Sequence, residues 1–287
     1  LVGPPGTGKS MVAPRLPRLL PPMRINDAID TVAINSVLGR PIELDTWRNR
    51  PFRAPHHTAS AVALVGGGSD PRPGEVSRAH NGVLFLDELA EFSRHVLEVL
   101  REPIESGQIT ISRAYGQADF PARFQLVAAM NPCPCGYHGD LQGDCRCSAD
   151  VVQRYRGKIS GPLLDRIDIQ VQVNRPPAES LRPDAPRAEP SLRVAKRIRA
   201  AREIQAARSG KTNAQLSSAE LRRVFHSDSE TFDLLESALE KLSLSARAYQ
   251  RVQRVARTIA DLADEEIITP MHVAEALRMR QLGGAAN

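Results

Sequence analysis

The sequence has few aromatic residues and no long apolar run. Aromatic side chains make up only 4% of the 287 residues and apolar residues 41%, so we expect globular cores built mainly from aliphatic side chains. No apolar run approaches the ~18 residues that a membrane span needs, and no signal peptide is visible. We therefore expect a cytoplasmic protein without a membrane partner.

A strong excess of either charge is also lacking. The chain carries 38 Lys and Arg against 33 Asp and Glu, for a formal net charge of +5 and a pI ≈ 9.3. Such a mild basic excess permits a nucleic-acid partner without requiring one.

A phosphate-binding motif is present at the start of the chain. It reads G-x-x-x-x-G-K-S and consists of Gly3, Pro4, Pro5, Gly6, Thr7, Gly8, Lys9 and Ser10. In such a loop the backbone N–H groups surround the phosphates of ATP, the lysine reaches the β- and γ-phosphates, and the serine hydroxyl holds Mg²⁺. The alternative is a chance glycine-rich turn.

Two features around this loop depart from a typical P-loop unit. Only Leu1 and Val2 remain of the strand that should precede it, so we expect a fragment of a longer protein. Pro14 falls in the second turn of the helix that should follow it. Because a proline inside a helix costs ~3 kcal/mol and bends the axis, this helix is predicted to be short or kinked.

Alternating apolar runs and helical patterns predict a P-loop α/β domain over residues 1–175, with a parallel sheet flanked by helices. Residues 82–86 are continuously apolar, as expected for a strand buried on both faces, and residues 124–130 form a second such run. The alternating residues 167–173 predict a third strand. A proline-rich linker at 176–190 then leads to a predicted helical lid domain at 191–287.

Polar residues follow the two buried runs. Asp87 is expected to hold Mg²⁺ together with Ser10, and Glu88 to polarise the attacking water. An exposed acidic pair opening a helix is the alternative. Asn131 either orients the water or the γ-phosphate, or forms a turn before Pro132.

The four cysteines are confined to one segment, residues 133–147. They are Cys133, Cys135, Cys145 and Cys147, in the spacing C-x-C-x9-C-x-C. Four thiolates converging from two short loops suit a tetrahedral Zn²⁺, with His138 as a substitute ligand. Free thiols are the alternative, because a reducing cytoplasm disfavours disulfides.

Taken together, these motifs resemble the magnesium-chelatase-like (ChlI-type) AAA+ ATPases, and most closely the ComM/YifB family of bacterial DNA-processing proteins. The family's N-terminal Lon-protease-like domain is missing. The resembling segments follow the family's order over nearly the whole chain and are residues 50–58, 73–77, 82–88, 131–137, 161–168 and 245–249.

The resemblance implies roles for three polar residues. Asn131 takes the sensor-1 position, Arg166 that of an arginine finger reaching the ATP of a neighbouring subunit, and Arg247 that of sensor 2. The residues alone favour simpler roles for the two arginines. Arg166 is then expected to form a surface ion pair with Asp165 or Asp168, and Arg247 to be a solvated charge. An arginine finger that acts on the ATP site of a neighbouring subunit implies a ring, which in this family is a homohexamer.

The resemblance also implies an ATP-hydrolysing motor on DNA, such as a branch-migration helicase in recombination and natural transformation. The loop at 60–74 and the hairpin at 107–122 are then expected near the central pore. Arg113, Tyr115 and Arg123 are candidate DNA contacts, although an ordinary solvated hairpin is the alternative. Two other hypotheses are the ATPase subunit of a magnesium chelatase, which remodels a metal-inserting partner, and a nucleotide-dependent assembly protein with little turnover.

Overall fold

A computed structural model describes residues 1–39, 41, 43–68, 71–113, 116–140, 142–242 and 244–280. The chain divides into two compact units. The first consists of Leu1–Arg166 and Gln172–Arg187, and the second of Ile167–Val171 and the chain from Ala188 onward.

The first unit is a mixed α/β structure. Its described strands are β1 (Phe52–Arg53), β2 (Gly66–Gly67), β3 (Arg72–Pro73), β4 (Val83–Leu86), β5 (Gln108–Arg113), β6 (Gly116–Pro121) and β7 (Gln125–Ala128). Its described helices are α1 (Lys9–Val12), α2 (Leu16–Leu19), α3 (Ile25–Val37), α4 (Ala61–Val65), α5 (Glu75–Arg78), α6 (Arg94–Val99), α7 (Arg101–Ser106), α8 (Ala149–Arg156) and α9 (Gly161–Leu164).

A three-stranded parallel sheet in the order β1-β4-β7 lies at the centre of this unit. All four residues of β4 are buried, as its continuous apolar sequence predicts. Val2 extends the sheet through isolated parallel bridges to Met130 and Gln172. The predicted fold class, a parallel sheet flanked by helices and followed by a helical region, is confirmed.

The third predicted strand, over residues 167–173, is not formed. Only Gln172 makes a bridge, to Val2, and the Gln170 N–H donates to the carbonyl of Met279 instead of a sheet partner. Ile169 and Val171 are 49% and 39% exposed. An alternating pattern fixes a strand only where one face is buried against a core, and that condition fails here.

The core of the first unit is mainly aliphatic, in agreement with the low aromatic content. It extends from the strands to the helices that pack on them. Its fully buried members include Leu64, Val76, Leu84, Leu86, Leu97, Leu100, Ala90 and Ala122.

The helix after the P-loop is interrupted at the predicted place. Helix α1 ends at Val12, a 3₁₀ turn covers Ala13–Arg15, and α2 begins at Leu16. Pro14 lies within the 3₁₀ turn, because its ring and missing N–H disfavour a continuous α-helix. The prediction of a short or kinked helix is confirmed.

A β-hairpin is formed by β5 and β6, which pair along their whole length from Gln108↔Pro121 to Arg113↔Gly116. Tyr115, at its predicted tip, lies outside the described residues. Helix α6 is capped by Ser93, whose hydroxyl accepts a hydrogen bond from the Val96 N–H.

The second unit is helical. Its described helices are α10 (Ser191–Ser209), α11 (Ser218–Val224), α12 (Ser229–Lys241), α13 (Ala246–Leu262) and α14 (Pro270–Arg278). Helix α13 lies at the centre of its core through Val252, Val255 and Ala256. Thr269 caps α14 in a capping box with His272, with Pro270 in the first turn.

One arginine of α13 is not on the solvated face. Arg257 is 1% exposed and donates to Asp261 at 3.1 Å. Arg208 and Asn213 also donate to Asp261. A buried charged network therefore lies beside the apolar core, since such charges persist inside a protein only when paired.

Within the part of the chain that the structure describes, no helix is both long and apolar enough to cross a membrane.

Candidate nucleotide site

The P-loop forms at the end of the parallel sheet. The Gly3 N–H donates to the carbonyl of Met130 at 3.3 Å, which fixes the start of the loop beside the second residue after β7. Gly6 and Gly8 have φ angles of 78° and 84°. Side chains other than glycine rarely adopt this region, which explains both glycines in the motif.

Lys9 points into the loop. Its side chain is 8% exposed, and Nζ donates to the carbonyls of Gly3 and Pro4, both at 2.7 Å. Nζ also lies 3.4 Å from Oδ1 of Asn131. Burial lowers the pKa of Lys9, and the charge of Asp87 opposes that shift.

Ser10 and Asp87 are brought together by the loop and the end of β4. The Ser10 hydroxyl donates to Oδ2 of Asp87 at 2.6 Å. A hydroxyl and a carboxylate oxygen this close are the kind of hard ligands that Mg²⁺ prefers. The residues therefore fit a magnesium ion at the mouth of the phosphate loop.

Glu88 has a partner that the sequence did not reveal. Its Oε2 lies 2.8 Å from Nδ1 of His57, and its backbone has a φ of 52°, in the left-handed region. His57 belongs to the loop after β1, where Arg53 is fixed by a bidentate ion pair with Glu75. No spacing in the sequence links His57 to Glu88, and only the folded chain places these two side chains together.

The two arginines expected to sense nucleotide lie in different surroundings. Arg166 is 8% exposed, pairs with Glu105 and donates to the carbonyl of Pro162 at 2.7 Å. The ion pair with Glu105 was not predicted, and Asp168 pairs with Arg251 at 2.5 Å. Arg247 is exposed in the first turn of α13, within the second unit.

Comparison with known proteins decides the family. Residues 1–181 match the family model described as "Magnesium chelatase, subunit ChlI", and residues 188–280 match "Magnesium chelatase, subunit ChlI C-terminal". The chain belongs to the magnesium chelatase ChlI family.

Several relatives of this family are similar over almost the whole chain. "Competence protein ComM" of Haemophilus influenzae is 50% identical, and "Uncharacterized protein YifB" of Escherichia coli is 49% identical, each over 98% of this chain. The chain spans 55% of the length of both relatives. The "Magnesium-chelatase 38 kDa subunit" of Cereibacter sphaeroides is 25% identical over 60% of this chain and 49% of its own length. The resemblance to the ComM/YifB branch is confirmed.

A cluster of four cysteines distinguishes this ChlI-family chain from a bare P-loop domain. The sulfur atoms of Cys133, Cys135, Cys145 and Cys147 all lie within 4.8 Å of one another, so they can hold one metal ion. His138 is not part of this group.

The sulfur spacing in the cluster is close to that of tetrahedral coordination, although Cys133 Sγ and Cys135 Sγ are closer, at 3.3 Å. The distance from Cys133 Sγ to Cys145 Sγ is 3.9 Å, and that from Cys135 Sγ to Cys145 Sγ is 3.7 Å. Metal–sulfur bonds of ~2.3 Å in a tetrahedron set the sulfur atoms about 3.8 Å apart. Hydrogen bonds from the Tyr137 backbone and from Cys133 lower the pKa of Cys135 to about 6. A backbone hydrogen bond from Cys147 lowers the pKa of Cys145, but burial and the neighbouring cysteines outweigh it and raise that pKa to about 11.

The candidate DNA contacts are only partly described. The backbone of Arg113 pairs with Gly116, and Arg123 is exposed just after β6. Tyr115 lies outside the described residues.

Proposed function

We propose that this chain is the ATP-hydrolysing part of a hexameric motor that acts on DNA, as a branch-migration helicase in recombination and natural transformation. The observation that carries the ATPase proposal is the 2.6 Å contact between Ser10 and Asp87 beside the buried Lys9. Similarity to a protein named for competence supports the role on DNA.

The catalytic residues have distinct proposed roles. Lys9 exchanges the carbonyls of Gly3 and Pro4 for phosphate oxygens, and Ser10 and Asp87 hold Mg²⁺. The metal neutralises charge on the phosphates when bound. Glu88 orients and polarises the attacking water.

Sensing of the γ-phosphate is proposed for two further residues. Asn131 serves as sensor 1, because it lies beside Lys9, and Arg247 of the lid serves as sensor 2. The lid comprises residues 191–287 and is joined by the linker 176–190 to the nucleotide-binding domain at 1–175.

Arg166 is proposed to act on the ATP site of the neighbouring protomer. Within one chain it is held by Glu105, so assembly must exchange that carboxylate for phosphate oxygens. Both partners are anionic, so the exchange preserves the charge pairing of a guanidinium that is otherwise buried. The proposal therefore ties hydrolysis to ring formation.

For the four-cysteine cluster we propose a structural Zn²⁺. The number of thiolates, the sulfur spacing and the tetrahedral preference of zinc support this metal. Metal analysis of purified protein tests it. About one equivalent of zinc per chain is expected, and less than half an equivalent contradicts the site.

A DNA-dependent ATPase measurement tests the main proposal. Single-stranded and branched DNA are expected to raise turnover, and Glu88→Gln is expected to abolish turnover while nucleotide still binds. No stimulation by either DNA, in a preparation shown to be hexameric, contradicts a DNA motor. Neutralising Arg123 then tests the hairpin, because loss of a phosphate contact lowers the salt dependence of DNA binding.

A second candidate is the ATPase subunit of a chelatase that remodels a metal-inserting partner. The match to the ChlI family model and the similarity to a magnesium-chelatase subunit favour it. The cysteine segment and residues 50–58 instead fit the DNA-processing branch. Turnover that no DNA stimulates, together with stimulation by a chelatase partner, selects this candidate.

A further inference from the structure

The four-cysteine cluster lies directly against the phosphate-binding loop. Gly136 follows Cys135, and a Cβ atom added to it lies 2.8 Å from Cδ and 3.3 Å from Cγ of Pro5. The same position lies 3.9 Å from Cγ of Asn131. The main chain of Gly136 thus touches the P-loop so closely that no side chain fits between them.

Two cluster cysteines lie in the tight turn that ends at Gly136. The Gly136 N–H donates to the carbonyl of Cys133 at 3.0 Å, which closes the turn. Cys133 is fully buried and lies two residues after Asn131. Because Cys133 and Cys135 converge on the same point, a metal there fixes the chain from Asn131 to Gly136.

The rest of the segment is anchored to the same unit. Arg156 Nε donates to the carbonyl of Pro132 at 3.1 Å, and Arg175 pairs with Asp140 at 2.8 Å. These contacts hold the two ends of the first loop. The apex, from Cys133 to Gly136, carries two of the four sulfur atoms and the backbone hydrogen bond that closes the turn.

We propose that the metal centre is part of the nucleotide site, because it holds Gly136 against Pro5 and Asn131 beside Lys9. Metal occupancy then raises the affinity for nucleotide. By linkage, bound nucleotide raises the affinity for the metal by the same factor. This inference rests on the proposed ATP and Zn²⁺ sites, and it assigns the cysteine segment a role in controlling them.

Without the metal, four neighbouring sulfur atoms lose the cation that draws them together. The sulfur atoms are then no longer held at one point, and the turn at Gly136 can move away from Pro5. The phosphate loop then loses its contact with Gly136, and Asn131 is no longer held in a fixed position. Coupling free energies between two sites usually correspond to a 5- to 150-fold change in affinity, so we expect roughly a tenfold effect.

Nucleotide affinity measured with zinc-loaded and chelator-treated protein tests the coupling. A fluorescent ATP analogue with Mg²⁺ serves as probe, and circular dichroism verifies that the stripped protein remains folded. About tenfold weaker binding after zinc removal, restored by adding Zn²⁺, is expected. Equal affinity in both forms of a folded protein overturns the inference.

A pair of glycine variants separates the effect of the Gly136–Pro5 contact on nucleotide affinity from the effect of the metal. Gly136→Ala should retain zinc and lose roughly tenfold in nucleotide affinity, because its Cβ displaces Pro5. Gly139→Ala is the matched control, since Gly139 has a similar φ of 78° but nothing within 4 Å of an added Cβ. Equal effects of both variants overturn the proposed contact, because they then reflect backbone strain alone.

The reciprocal effect gives a readout independent of catalysis. Competition with a chromophoric chelator measures zinc affinity with and without Mg²⁺-nucleotide, and tighter zinc binding with nucleotide is expected. Unchanged zinc affinity overturns the coupling even if DNA stimulates hydrolysis. Conversely, intact coupling without DNA stimulation contradicts the motor and leaves this inference standing.

Discussion

Oε2 of Glu88 lies 2.8 Å from Nδ1 of His57, so the carboxylate proposed to polarise the attacking water is held by an imidazole from another loop. A carboxylate with a fixed orientation is a better proton acceptor than one that samples several rotamers. Oε1 remains the oxygen available to water. We infer that His57 positions Glu88 for hydrolysis.

Replacement of His57 by Ala is therefore expected to lower kcat for ATP hydrolysis about tenfold, since a hydrogen bond to a charged group contributes ~1.5 kcal/mol or more. KM should change little, because the contact involves no phosphate-binding residue. His57→Gln should restore part of the rate through its amide donor. His56→Ala is the comparison variant: His56 packs on the His57 ring with centroids 4.1 Å apart and contacts Thr58, but it is not the residue beside Glu88, so a smaller loss of kcat is expected. An unchanged or increased kcat in His57→Ala would refute the positioning role.

Removal of the Ser10 hydroxyl tests the proposed magnesium site. Because the hydroxyl lies 2.6 Å from Asp87, its loss removes one of two neighbouring oxygen ligands. We expect Ser10→Ala to need on the order of tenfold more Mg²⁺ for half-maximal turnover. Ser10→Thr keeps the hydroxyl and should behave like the parent chain. Identical magnesium titrations for the Ala and Thr variants would exclude Ser10 as a ligand.

The buried Arg257 of the helical unit is expected to determine its stability. Arg257→Met leaves Asp261 buried with less compensating charge, and removal of one partner of a buried pair costs about 3–5 kcal/mol. Arg208 still pairs with Asp261, so we expect a value near ~3 kcal/mol. Arg223→Met, on an exposed position, is the control. Equal free energies of unfolding in urea for the two variants would contradict this role.

Acid should weaken the same network. Burial favours protonation of Asp261, but hydrogen bonds from Arg208 and Asn213 and the charge of Arg257 outweigh it, so the pKa lies below its ordinary value. A depressed folded-state pKa stabilises the protein above the unfolded value of about 3.9, and this stabilisation is lost as pH falls further. The free energy of unfolding measured from pH 6 to pH 2 should show this loss. Asp261→Asn should flatten the slope below about pH 4.

Local motifs predicted the fold class and the residues that the P-loop and the buried strands bring together. The glycine pattern fixed the phosphate loop, and the apolar run of β4 placed Asp87 at its end. Pro14 was also informative, because a proline acts through its own backbone. Such features depend on residues that are neighbours in the sequence, so they can be predicted without knowledge of the fold.

Features that depend on tertiary contacts were missed. His57 and Glu88 meet only because β1 and β4 are neighbours in the sheet. The burial of Arg257 could not be predicted, because Arg208 and Asn213 join its i,i+4 pair with Asp261 from distant parts of the chain. Alternation in residues 167–173 suggested a strand, yet no buried face exists there to stabilise one. The burial of Arg166 against Glu105 likewise follows from packing rather than from its motif.

The central proposal is that ATP is hydrolysed at an interface between protomers. Arg166 of one chain then reaches the ATP site of the next. The decisive measurement mixes Arg166→Ala protein with Glu88→Gln protein, each inactive alone, and follows ATP turnover across mixing ratios. Mixed rings contain sites with an intact Glu88 in one chain and an intact Arg166 in its neighbour, so turnover should reappear and peak near equal proportions. Absence of turnover at every ratio, with both variants folded and shown to co-assemble, would contradict the account.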